Sequence, residues 1–363
     1  MRVLVTANPM HGHVNTVLPL ALAARRAGHE VVLATGPDLA GHAERHGVPT
    51  WPVGPTHAES GGQAGLSVDY FTYAAEKRAV ELVPRAQGWR PDLVVHEDTE
   101  LAGPIAAATT GARSVVHGLG LMYPVRIFDA LAATVDRLGD RWGAPAVSAA
   151  LRGSVYLELA PPALRLPGER IWRRARPLRP RPGSPAAGEE LPAAVAALPH
   201  RRTVHLTLGT VFHDSDVLAT ALEGLRTLPV DVVVTVGPGV DGARLGPQPP
   251  HVLVAPYLPH ALLLPRCDLV VSQGGAGIVF GALAHGLPQL VLPQGGDQFL
   301  NAEACRDSGA ALTLAPGEVT AAAVVEAASR LLTEPGFAAA AGAVRAEIAA
   351  MPDADAVLRD LTR

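Results

Sequence analysis

The run Gly274-Gly275-Ala276-Gly277 sits between a strand-like apolar stretch and an apolar stretch of helical spacing. At a helix N-terminus, such a turn gathers unpaired backbone N–H groups and the positive end of the helix dipole where no Cβ blocks approach. That is a site for an anion, phosphate above all. Glycines also serve close strand–helix packing with no ligand at all, so the turn needs company. It has some, because Gly295-Gly296-Asp297-Gln298 follows the next strand-like run, and a carboxylate next to an amide can hold sugar hydroxyls through paired hydrogen bonds. Near the start of the chain, TANPMHGHVNTVLP (residues 6–19) puts His11 and His13 on the loop after the first strand. Imidazole titrates near neutrality and suits proton removal, although a loop histidine is more commonly solvated or a cap. The segment PDLVVHEDTELAGP (residues 91–104) adds Glu97 and Asp98 just past a strand. A carboxylate beside a histidine fixes its tautomer and stabilises the imidazolium.

These groups need a frame. Residues 2–7 read as a strand, 14–27 as a helix closed by Gly28, and 30–34 as a strand again, the beginning of a βαβ unit. The rhythm recurs as a strand at 92–96, an Ala-rich helix at 101–110 and a strand at 114–117. From about 161 to 199 it stops and Pro, Arg and Gly dominate, the composition of a linker. Strands then follow at 203–208, 230–236, 252–255, 269–272 and 289–293, with helices at 217–225 and 278–285. Such a series folds as parallel sheets with helices on both faces. The expected class is α/β, with two Rossmann-like doubly wound parallel-sheet domains at 1–160 and 201–345 and a 161–200 linker between them. A C-terminal helix within 346–363 is expected to pack back on the first domain.

Composition narrows the function. At 363 residues the chain can bury two separate cores. Polar, Pro or Gly residues interrupt every apolar run before the roughly 20 residues of a membrane span, and the start passes straight into a strand with no room for a secretory leader. A soluble cytoplasmic protein, monomer or homodimer, is expected. A formal charge of −4 leaves no footprint for nucleic acid. Cys267 and Cys305 lack CxxC spacing and read as ordinary buried thiols. Lys77 is the only lysine and lies in no motif, which removes a P-loop lysine and a pyridoxal Schiff base. No Asp-x-Asp pair is placed for a bridging cation and no His/Cys cluster has ligand spacing, so no metal and no cofactor are expected.

The segment DLVVSQGGAGIVFGALAHGLPQLVLPQGGDQFLNAE (268–303) resembles the donor-binding signature of the family-1 glycosyltransferases of GT-B fold, in the branch that decorates antibiotics. That branch reads approximately HHGGAGT, then GxPQLVLPQGADQ, then NA. This chain has SQGGAGI, GLPQLVLPQGGDQ and Asn301-Ala302. VHLTLGTVF (204–212) and VLVAPYLPHALLLPRCD (252–268) also match, so the resemblance spans essentially the whole chain. It implies two domains facing across a cleft and a nucleotide diphosphate sugar as co-substrate. By the resemblance, Gly209 and Thr210 line the donor diphosphate together with Gln273, Gly274, Gly275, Ala276 and Gly277. Tyr257 stacks on the nucleobase, Leu258 offers backbone groups to the base edge, and Asp297 and Gln298 bind the hexose. The family's GH(V/I)NP motif, with Thr16 in place of Pro, makes His13 the general base and His11 the second choice, with His11 also expected among the acceptor-binding residues. Its strand-then-Asp pattern gives Glu97 as the partner of His13, with Asp98 a close rival.

Three positions depart from the family. Gln273 replaces the diphosphate-binding His, Ile278 replaces the following Thr, and Gly281 stands where many relatives using UDP-sugars grip both ribose hydroxyls with Glu. Diphosphate binding then rests on backbone amides and the helix dipole, and the absent carboxylate favours a dTDP-linked deoxysugar. The family shapes its acceptor pocket in 56–75 and 118–143, where Tyr70, Phe71, Tyr73, Met122, Tyr123, Phe128 and Trp142 suggest a small, flat, apolar aglycone. The implied reaction is metal-independent displacement with inversion at the anomeric carbon. A dehydrogenase is disfavoured because NPMHGHVN stands where GxGxxG would. A nucleotide-sugar epimerase of the same architecture and a non-catalytic nucleotide-sugar-binding homologue are the alternatives.

Overall fold

The computed structural model describes residues 1–61, 68–168, 170–181, 185–186, 188–209, 216–237 and 240–362. They form two compact units. The first comprises Met1–Ala160, Leu166–Arg179 and Met351–Arg363, and the second Pro161–Arg165 and Pro180–Ala350.

Seven strands make the sheet of the first unit: β1 (Arg2–Thr6), β2 (Glu30–Thr35), β3 (Thr50–Pro52), β4 (Leu93–Glu97), β5 (Arg113–His117), β6 (Val155–Glu158) and β7 (Ala175–Pro177). Their order is β3-β2-β1-β4-β5-β6-β7, parallel throughout. Short runs of Val, Leu and Ala buried on both faces suit such strands. The helix His11–Arg26 covers one face through Val14, Val17, Leu18, Ala21 and Ala24, a helical stripe. On the other face Leu4, Val94 and Val116 pack with residues of the helices Val68–Trp89 and Ala102–Thr110.

Six strands make the second sheet: β8 (Thr203–Thr207), β9 (Asp231–Thr235), β10 (Val252–Ala255), β11 (Leu269–Ser272), β12 (Gln289–Val291) and β13 (Ala311–Thr313). The order β10-β9-β8-β11-β12-β13 is also all parallel. In each sheet the strand order reverses at one point, between β1 and β4 in the first and between β8 and β11 in the second. Open α/β sheets bind ligands beyond the strands' carboxyl ends at that reversal.

The stretch expected to be a linker is not all connection. It supplies β7 at the edge of the first sheet, and Ile171 and Trp172 are buried in that unit's core. A three-residue strand containing Pro leaves no periodic signal, and Pro is tolerated because the strand is an edge. The helix Ala354–Leu361 belongs to the first unit and packs on His11–Arg26, where Arg26 Nη2 pairs with Asp355 Oδ1 at 2.9 Å. Cys267 and Cys305 are buried free thiols. Among the described residues no helix is long and apolar enough to cross a membrane.

Candidate active site

At the reversal of the first sheet, β1 runs into Ala7-Asn8 and β4 ends on Glu97. His13 does not lie on a loop as its motif suggested. It occupies the first turn of the helix His11–Arg26, which begins directly after Met10 without a side-chain cap. His13 Nδ1 lies 2.8 Å from Glu97 Oε1, and the Glu97 side chain is wholly buried. Burial alone would raise the Glu97 carboxyl. The adjoining His13 imidazole and the Thr99 backbone and hydroxyl donors outweigh it and hold the carboxyl down at about 2. A carboxylate only accepts, so Nδ1 carries the hydrogen and Nε2 keeps the lone pair needed by a base.

Glu97 and Asp98 are thereby told apart. Asp98 Oδ2 accepts from Tyr156 Oη at 3.1 Å and from Leu119 N at 3.4 Å, and Tyr156 is itself stacked on Trp172, centroids 4.4 Å apart. Glu97 is the last residue of β4 and Asp98 the first of the turn beyond it, and of the two it is Glu97 that meets His13. His11, the second choice, makes no hydrogen bond to a carboxylate among the described residues. Its ring packs edge-on against His42 at 4.9 Å, and burial with nearby Arg45 lowers its pKa.

The acceptor candidates belong largely to the core. Tyr70 is only 2% exposed, and its hydroxyl bonds His57 Nδ1 at 3.0 Å, so it presents no free ring face. Burial pushes its hydroxyl pKa up to about 12. Phe71 is edge-on to Tyr70, and Phe71, Met122 and Trp142 pack against the core that contains Phe128. Tyr123 is half-buried and Tyr73 exposed. The aromatic concentration read from the sequence is thus mostly packing. Beside Asp98 a cavity of about 20 Å³, walled by Phe128, Leu131, Val135 and Trp172, has room for a water molecule and not for an aglycone.

In the second unit the loops after β8 and β11 meet. Gly209 has φ +73°, and a Cβ there would collide with the amide nitrogen of Gln273. Gln273 is 9% exposed, so the bare glycine is what lets its amide lie in the turn. Gly274, at φ +87°, could not carry a Cβ either, which would fall 2.5 Å from Val291 Cγ1. Gly275 is the N-cap of the helix Ala276–Ala284 and no side chain caps it, leaving first-turn N–H groups without intrahelical acceptors. Around Gly277 there is open space within 4 Å of a would-be Cβ. Ile278 is buried in a cluster with Leu258, Leu263 and Val270, so the position where relatives have Thr contributes to the core here. Thr210 lies outside the described residues.

Beyond β12, Gln298 is 5% exposed, and its Oε1 accepts from the backbone N of Gln294 at 2.7 Å and of Gly295 at 3.1 Å. Its carbonyl is thus occupied in bracing the loop, which leaves only the amide nitrogen for a ligand. Asp297 opens the helix Gln298–Asp307. Asn301 Nδ2 donates to Asp297 Oδ2 at 3.0 Å and to Gly274 O at 2.9 Å, joining the loop after β12 to the glycine-rich turn after β11. Leu258 is buried, whereas Tyr257 is 50% exposed.

The chain matches the domains of the erythromycin biosynthesis protein CIII-like family, the N-terminal one over residues 61–141 and the C-terminal one over 219–363. It is 34% identical to the elloramycin glycosyltransferase ElmGT of Streptomyces olivaceus, over 97% of this chain and 94% of that protein. The chain belongs to this family of antibiotic glycosyltransferases. It is also 31% identical to the TDP-daunosamine transferase DnrS of Streptomyces peucetius, over 99% of this chain and 96% of that one. Among solved structures, the glycosyltransferase VinC in complex with dTDP is similar with a TM-score of 0.85 at 29% identity, covering 100% of this chain and 99% of VinC. The fold is GT-B, and the enzyme is a nucleotide-sugar glycosyltransferase of antibiotic biosynthesis.

Several groups of this glycosyltransferase's sites carry no local sequence signal. Asn8, Arg78 and Glu100 continue the hydrogen bonding behind Glu97. His57 stands close enough to His13 for the two charges to be felt. Asn301 was legible only as part of a family motif, without the role its two bonds define. Among the described residues no group of three His, Cys, Asp or Glu side chains is placed to hold a metal ion.

Proposed function

We propose that this glycosyltransferase moves a deoxyhexose from a dTDP-linked donor to a hydroxyl of a small, apolar natural-product acceptor, with inversion and without a metal ion. The observation that carries the reading is the 2.8 Å contact of His13 Nδ1 with the buried Glu97 carboxylate. His13 Nε2 takes the acceptor's O–H proton, and the freed oxygen pair forms the bond to the anomeric carbon. The bond from that carbon to the diphosphate breaks on the opposite face, and the leaving diphosphate keeps the electron pair. Glu97 stabilises the imidazolium. First-turn N–H groups at Ala276–Gly277 and the Gln273 amide receive the leaving charge in place of a cation, while Asp297 and the Gln298 amide nitrogen hold sugar hydroxyls.

The preference for dTDP is supported by Gly281, buried in the donor helix with no carboxylate to offer a ribose 2′-hydroxyl. VinC, solved with dTDP, and DnrS, named for TDP-daunosamine, agree with it. Turnover is to be compared with dTDP- and UDP-linked forms of one sugar, with and without EDTA, and the product's anomeric configuration read by NMR. The reading expects dTDP to be preferred, EDTA to be without effect, and an inverted product. A clear UDP preference, loss of activity in EDTA or a retained configuration overturns the corresponding part.

A further inference from the structure

We infer that Asn8, locked in place by the buried guanidinium of Arg78, is a positioning residue for the His13–Glu97 pair. The inference rests on His13 acting as the base, as proposed above.

Asn8 is 1% exposed, directly after β1. Its backbone N and side-chain Nδ2 both donate to Glu97 Oε1, at 3.1 and 2.8 Å, the same oxygen that receives His13. Thr99 takes the other oxygen, through its N at 2.6 Å and Oγ1 at 2.8 Å. Both carboxylate oxygens are therefore held, and the one facing His13 also carries the two Asn8 donors. An Asn amide can sit either way round, but here charge decides. Arg78 Nη1 lies 2.9 Å from Asn8 Oδ1, so the carbonyl must face the cation and the NH₂ must face Glu97. The reversed amide would set oxygen against carboxylate and NH₂ against guanidinium.

Arg78 is fully buried and is held in turn. Nη1 also reaches Glu100 Oε1 at 3.1 Å, and Nε donates to Val53 O at 3.4 Å. Glu100 accepts from the backbone N of Ala102 and Gly103. Two glycines make the room. A Cβ at Gly54 would lie 2.8 Å from Arg78 Cβ, and one at Gly103 would lie 2.8 Å from Glu100 Oε2. Two buried carboxylates and one guanidinium leave the cluster one negative charge in excess while His13 is neutral, and electroneutral once His13 holds the proton. Buried unpaired charge is costly, and Arg78 compensates one of the two carboxylates. Arg78 fixes Asn8, Asn8 fixes Glu97, and Glu97 fixes the His13 tautomer.

The test reads the His13 ring by side-chain ¹⁵N NMR in the full chain, the resonance being assigned by its loss in His13→Gln. The wild type is expected to hold the Nδ1–H tautomer. In Asn8→Ala and Asn8→Asp the Nε2–H tautomer should appear, with kcat lowered by about tenfold or more, a fraction of what a general base supplies, and donor KM unchanged. Arg78→Lys keeps the buried charge without the forked geometry and should shift the tautomer in the same direction. Retention of the wild-type backbone amide resonances of the first unit serves as the check that each variant is folded. Retention of Nδ1–H and of kcat within twofold in the folded variants overturns the inference. A tautomer shift alongside full activity of His13→Gln overturns the base assignment instead, so the two failures are distinguishable.

Discussion

His13 Nδ1 and Glu97 Oε1 lie 2.8 Å apart, with the carboxylate wholly buried. The pair joins the first turn of a helix to the last residue of a strand 84 positions on. Its geometry leaves Nε2 as the basic atom and makes the histidine's orientation depend on one carboxylate.

Glu97→Gln keeps the shape and removes the charge that stabilises the imidazolium. We expect kcat to fall by about 10²–10⁴-fold. Affinity for dTDP should hold, since Glu97 lies in the first unit and the glycine-rich turn in the second. Asp98→Asn should cost less than about tenfold, because Asp98 serves Tyr156 and Leu119. Steady-state kinetics with calorimetric titration of dTDP compares them, and equal losses in the two variants would refute the assignment of the pair.

The glycines of the donor turn should separate stability from binding. Gly274→Ala meets a left-handed φ and Val291 and should destabilise the fold by about 1–3 kcal/mol. Gly277→Ala enters open space inside a helix, so thermal stability should hold or rise by about 0.5–1 kcal/mol. Its dTDP affinity should nevertheless fall, because the new methyl group crowds the N–H groups that would face phosphate. Unchanged affinity in Gly277→Ala would move the diphosphate away from that turn.

Asn301→Ala removes the link between Asp297 and Gly274 O. Leaving a buried carbonyl without its donor costs about 1–3 kcal/mol, and Asp297 loses the bond that orients it. We expect kcat/KM for the donor sugar to drop about tenfold or more, while binding of dTDP, which lacks the sugar, changes less. An equal loss for both ligands would place Asn301 on the phosphate side alone.

Much of the fold is legible in the sequence because apolar runs and glycine-rich turns are local signals. Most strands lie within a few residues of their expected bounds, and the Gly274–Gly277 turn opens a helix as its composition predicts. The start of the first helix was not legible, since Met10 caps it with no side-chain bond and none of the usual cap residues marks the place. β7 was hidden among prolines and arginines. The buried partners of Glu97 were beyond local reading altogether. Asn8 meets Arg78 across 70 positions, and only folding makes them neighbours. The role of the aromatics in the acceptor segments was not legible for the converse reason, as aromatic density marks a core as readily as a pocket.

Two buried histidines give the fold an acid-sensitive side. Burial lowers His117 to about 4, and burial with neighbouring His260 lowers His205 to about 3, both from an ordinary 6.5. The unfolded chain therefore binds more protons than the native one below pH 6.5. Stability present above that pH is lost as pH falls towards 4 and 3, by up to ~1.4 kcal/mol per pH unit for each histidine. The Glu97 contribution is lost only below the ordinary carboxyl value of 4.5. The melting temperature should decline steadily from pH 6.5 to pH 4.5, and a flat profile over that window would contradict the burial of these neutral rings.

The most direct measurement is the transfer activity of His13→Ala with a dTDP-linked deoxysugar and an apolar aglycone, read as glycoside by mass spectrometry beside calorimetric dTDP binding. With His13 as the base, turnover falls by about 10²–10⁴-fold and dTDP affinity stays within about twofold of the wild type. Turnover within tenfold of the wild type would contradict the account at its centre.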